Sequence, residues 1–145
     1  MKFEFDVQIK IQKPVTEVFD AVVDPAKLSG YFVGSASGPL EEGNVITWRF
    51  AEVDLDIPIT VREVKPNELI RFEWASNEDD YNTTVIIGFQ AVDPENTMVT
   101  IHESGWRETD KGLFGSYQNC GGWMHMGCCL KAYLDHGINL RKGSV

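Results

Sequence analysis

Glu68-Leu69-Ile70-Arg71-Phe72-Glu73-Trp74 places Ile70, Phe72 and Trp74 on one side of an extended chain and Arg71 and Glu73 on the other. Strict period-two alternation of this kind marks a half-buried β-strand. The pattern recurs on both sides of it, over residues 45–53, 57–64, 83–92 and 97–106. Asp54-Leu55-Asp56, Lys65-Pro66-Asn67 and Asp93-Pro94-Glu95-Asn96 separate segments with turn-forming residues at hairpin lengths. Five consecutive strands joined in this way predict an antiparallel meander.

Alternation also assigns the faces. Ile46, Trp48, Phe50, Ile57, Ile59, Val61, Ile70, Phe72, Trp74, Val85, Ile87, Phe89, Val99 and Ile101 point to one side, and Thr47, Arg49, Thr60, Arg62, Gln90 and His102 to the other. The apolar side needs a cover. Near the C-terminus, Leu113, Tyr117, Cys120, Trp123, Met124, Gly127, Leu130 and Leu134 fall on one stripe of a helix of about 25 residues, long enough to cross the sheet. Upstream of the meander, Phe3, Phe5, Val7, Ile9 and Ile11 alternate as a first strand. Pro14 then opens a helical period at Val15, Val18, Phe19 and Val22, and the turn-rich residues 30–43 form an irregular connection. The expected fold is α+β: a curved antiparallel sheet wrapped around a long C-terminal helix, with short helical structure after the first strand, in a single domain over residues 1–145.

Composition excludes several classes of function. The 43% hydrophobic and 24% charged residues are ordinary globular usage, which argues against disorder. A net charge of −9 without a cluster of Lys and Arg argues against nucleic acid as a partner. No apolar run reaches the roughly 20 residues of a membrane span, and the charged, alternating start differs from a signal peptide. Three cysteines, Cys120, Cys128 and Cys129, give no disulfide framework, so free thiols in a cytoplasmic setting are expected.

Candidate chemistry is sparse. His102, His125 and His136 do not converge, and adjacent Cys128 and Cys129 diverge by about 100° on a helix, so neither a metal nor another cofactor is expected. Cys120 and Cys128 fall on or beside the buried stripe as small hydrophobes, with no spacing that supplies a base for a nucleophile. Glu103 interrupts the inward series after Val99 and Ile101. Either it points to a pocket mouth, where a buried carboxylate orients a ligand or acts as a base, or the strand ends within Ser104-Gly105 and Glu103 is solvated or paired with an Arg. Cys120, Gly121-Gly122, Gly127 and Cys128 put small residues on a helix where alanine or leucine would be more stable. They leave room for a ligand or let the helix approach the sheet closely.

The order and spacing of several segments resemble the START-like (SRPBCC) superfamily, and within it the domain similar to the C-terminal part of the activator of the heat-shock-protein-90 ATPase. These are the opening strand with Pro14-Val15-Thr16-Glu17-Val18-Phe19, residues 64–74, Val99 to Trp106, and Gly122-Trp123 with Leu130, Tyr133-Leu134 and Gly137. The resemblance implies a helix-grip fold whose cavity binds hydrophobic molecules, in relatives that include carriers, cyclases or aromatases, and a co-chaperone. Where relatives place a large apolar residue, Gly127 would enlarge the space beneath the helix. The activator has a further N-terminal domain not seen in these residues, which weighs against direct ATPase stimulation.

Three functions follow as expectations. The first is binding of a small hydrophobic molecule by Trp48, Phe50, Ile59, Phe72, Trp74, Ile87, Ile101, Glu103, Tyr117, Trp123, Met124, Gly127 and Leu130. The second is an enzyme on the same pocket, with Glu103 or Tyr117 as acid or base. The third is an interaction module with a chaperone partner; a homodimer also stays open.

Overall fold

A computed structural model describes residues 1–145. Seven antiparallel strands form one sheet: β1 (Phe5–Ile11), β2 (Ser35–Ala36), β3 (Val45–Phe50), β4 (Leu55–Lys65), β5 (Leu69–Ala75), β6 (Asn82–Asp93) and β7 (Asn96–Ser104). Their order across the sheet is β1-β7-β6-β5-β4-β3-β2, so the meander runs unbroken from β2 to β7 and the first strand returns to its far edge. Helices α1 (Val15–Val23) and α2 (Pro25–Leu28) follow β1, and α3 (Asp110–His136) covers the concave face. This is the α+β helix-grip arrangement.

Register bears out the face assignment. Ile46 faces Ile59, Val61 faces Phe72, Ile70 faces Ile87, and Ile87 in turn faces Ile101. All of these are buried in one continuous core. Cross-strand apolar pairs on one face stabilise the sheet and give it the apolar side that its cover buries.

Three local readings are corrected. The strand expected to reach Val53 stops at Phe50, where Ala51–Val53 form a 3₁₀ turn and Asp54 takes a left-handed conformation (φ 52°). Arg49 bonds both Asp54 and Asp56 there, which stabilises the turn and starts β4 at Leu55. Within the connection expected to be irregular, Ser35–Ala36 pair with Arg49 and Trp48 as a short edge strand.

The third correction concerns the phase of α3. Thr109 caps its start by accepting from Gly112 N, and Gly137 ends it with φ 68°. The buried face of its first half is Gly112, Gly115 and Ser116, while Leu113 and Tyr117 are 45% and 58% exposed. Close approach causes the difference. A Cβ on Gly112 would lie 1.8 Å from the Arg107 carbonyl oxygen, and one on Gly115 would lie 2.4 Å from Asn77 Oδ1. The helix therefore turns its smallest residues inward and its larger apolar ones to solvent.

Candidate functional site

Between α3 and the strands from β3 to β5 lies a cavity of about 200 Å³, walled by Phe32, Phe50, Val53, Ile57, Trp74, Gly122 and Trp123. Arg141 is the only charged side chain on its wall and Asn119 the only other polar one. The Trp74 and Trp123 rings lie 5.3 Å apart, and Phe32 packs 5.6 Å from Trp123 and 5.3 Å from Phe50. Through Ile57, Trp74 and Asn119 the cavity adjoins a surface groove of about 460 Å³.

Glu103 holds this wall together. It is fully buried on β7, opposite Val85 and Phe5, although the strand ends one residue later at Ser104. Its Oε1 accepts from Trp123 Nε1 at 2.8 Å and Asn119 Nδ2 at 3.1 Å. Its Oε2 accepts from Thr83 Oγ1 at 2.7 Å, Trp74 Nε1 at 3.0 Å and Asn119 Nδ2 at 3.1 Å. No cation pairs with it, so the expectation of an Arg partner or a solvated end is corrected. A buried carboxylate needs such donors to offset its lost hydration. With both oxygens occupied by donors of the protein, little acceptor capacity remains for a substrate proton. Trp48 offers a contrast: it packs 6.2 Å from Trp74, and its buried Nε1 has no partner.

The residues expected to form the site separate into groups. Phe50, Trp74 and Trp123 line the cavity, with Glu103 bonded to the last two. Trp48, Ile59, Phe72, Ile87, Ile101 and Leu130 are packed in the core, and Met124 is half-buried. Tyr117 lies outside, its ring 5.4 Å from Phe114, and so does not converge with Glu103. Gly127 leaves no room, since a Cβ there would be 3.2 Å from Ile9 Cγ2 on β1. The open small position is Gly122, where an added Cβ meets nothing within 4 Å.

Phe32, Val53, Ile57, Asn119 and Arg141 were not among the residues expected to bind, and Gly122 was read only as one of several small positions that could leave room for a ligand. Asn119 had a signal in its spacing, four residues before Trp123 and so on the same helical face. Arg141 had none. It lies in the tail beyond α3, where Nε (3.0 Å) and Nη2 both donate to Glu52 Oε1. Its guanidinium sits 5.3 and 5.5 Å from the Phe32 and Phe50 ring centroids. Burial pushes the Glu52 carboxyl up, but the bonds and charge of Arg141, with a backbone N–H, outweigh it and hold the group below its ordinary value.

The cysteines need one correction as well. Cys129, not Cys128, is the buried one, and His125 Nε2 lies 3.6 Å from its sulfur. Burial pushes this thiol upward, which favours the inert protonated form over a nucleophile. His102 pairs with Asp6 at 3.0 Å on the outer face.

A family model described as "Activator of Hsp90 ATPase homolog 1-like protein" matches residues 12–135. The chain belongs to this family. Among solved structures, SSP2350 from Staphylococcus saprophyticus is 31% identical, with a TM-score of 0.81 over 95% of this chain and 96% of that one. The Aha1 dimer from Colwellia psychrerythraea is 23% identical, with a TM-score of 0.77 over 92% and 97%. DynU16, described as a putative protein in the dynemicin biosynthetic locus, is 24% identical with a TM-score of 0.81; 94% of this chain matches 48% of that one. No curated protein matches. The last two likenesses carry the fold alone, and no helix is long and apolar enough to cross a membrane.

Proposed function

We propose that the protein binds a small hydrophobic molecule in the cavity between sheet and helix. The supporting observation is the apolar wall of Phe32, Phe50, Trp74 and Trp123, with both tryptophans fixed by Glu103 before any ligand arrives. Fixed aromatic walls reduce the ordering cost of binding. A ligand burying about 200 Å² of apolar surface there gains roughly 5 kcal/mol before those costs. An enzymatic reading is weaker, because Glu103 is saturated and Tyr117 lies outside.

Native mass spectrometry of the purified protein tests the proposal. A co-purifying molecule of definite mass, released by Trp123→Ala, is the expected result. If wild type carries nothing and neutral aromatic probes leave its tryptophan fluorescence unchanged, the reading is wrong.

A co-chaperone role is the second reading. Family membership and the exposed apolar group Leu113, Phe114 and Tyr117 favour it. Capture of the purified chaperone by wild type, lost in Phe114→Ser with Tyr117→Ser, would establish it; no capture at low salt would count against it.

A further inference from the structure

Arg141 indicates which class of hydrophobic molecule the cavity takes. We propose that the ligand is a planar aromatic carboxylate, its ring against Trp74 and Trp123 and its acid group on Arg141. This rests on the binding reading above and adds a head group to it.

Arg141 is the only cation on the cavity wall, and its side chain is 18% exposed. Both of its bonds to protein come from Nε and Nη2 and end on one oxygen of Glu52, while Nη1 donates to no protein acceptor. A guanidinium resting against the packed Phe32–Phe50 pair with an unused N–H group is suited to a carboxylate, which accepts two parallel N–H bonds.

Asn119, the other polar side chain on the wall, offers only an acceptor and so does not bond the acid group. The Glu103 carboxylate accepts only, so the Asn119 amide must turn Nδ2 toward it, which leaves Oδ1 without a protein donor. The rest of the lining is apolar. The chain as a whole carries a net charge of −9 and repels anions, so a preference for an acid has to come from this local cation. Arg141 also lies outside the residues matched by the family model, so the head-group contact belongs to this chain's own tail.

The test compares 2-naphthoate with 2-naphthamide, which has nearly the same shape and no charge, by calorimetric titration of the full chain near neutral pH. In wild type the acid binds about tenfold more tightly than the amide, as a charge-assisted pair should. Arg141→Met keeps much of the apolar stem and removes that preference, so that acid and amide bind alike. Glu52→Gln frees the guanidinium from its partner and tightens the acid alone. Thermal melts confirm that both variants fold. Equal affinity for acid and amide in wild type would overturn the head-group assignment and leave the cavity reading standing. So would equal weakening of both probes by Arg141→Met, or weaker acid binding in Glu52→Gln. If neither probe binds wild type, both readings fall together.

Discussion

The two halves of α3 meet the rest of the molecule in opposite ways. From Trp123 to His136 the helix is pressed onto the core: Gly127 touches Ile9, Met126, Cys129 and Leu130 are buried, and Asp135 and Lys131 bond the backbone of Gln12 and Lys10 on or beside β1. From Asp110 to Gly122 it approaches closely at Gly112 and Gly115, then leaves open space at Gly122, where the cavity opens. Glu103 sits at the change, bonded to Asn119 and Trp123. Small residues therefore do different jobs along one helix, giving close packing at one end and open space at the other.

The largest expected effect removes the junction between these halves. Glu103→Leu would leave two indole N–H groups, a hydroxyl and an amide without their acceptor, at roughly 1–3 kcal/mol for each donor that stays buried, so a loss of about 3–6 kcal/mol is expected in urea denaturation. A loss below about 1 kcal/mol would mean that water or a neighbour replaces the carboxylate and that the junction is not needed.

Gly127→Leu comes next. Overpacking against Ile9 should destabilise the domain by about 1–3 kcal/mol. A variant as stable as wild type that no longer binds would instead place the cavity at the packed end. Gly122→Leu should have the opposite sign in stability, gaining about 0.5–1 kcal/mol from helix propensity while its side chain closes the cavity.

The smallest effect concerns thiol reactivity. Iodoacetamide should label Cys120 and Cys128, which are partly exposed, well before Cys129, whose thiol is buried and pushed upward. Peptide mass spectrometry after brief labelling reads the order, and early modification of Cys129 would show that the packed half opens.

This contrast explains what the sequence could disclose. Strands announce themselves by alternation, and every inward residue from Ile46 to Phe50 or from Val85 to Phe89 lies where its period puts it. Helical phase failed in the open half because the apolar residues there, Leu113 and Tyr117, face water, while the inward positions are filled by Gly112, Gly115 and Asn119. Inward residues chosen for closeness or hydrogen bonding carry no hydrophobic signal. Glu103 was visible as a break in the apolar series, but its four partners come from β5, β6 and α3 and no local pattern links them. Arg141 reaches the cavity only through the course of the tail.

The most direct test follows the indole N–H resonances of Trp74 and Trp123 while naphthalene is titrated into ¹⁵N-labelled wild type, Gly122→Leu and Gly121→Ala. Saturable shifts of both indoles are predicted in wild type and Gly121→Ala, and none in a folded Gly122→Leu. Unmoved indoles in wild type, or unchanged binding in Gly122→Leu, would contradict a ligand cavity at the open half of the helix.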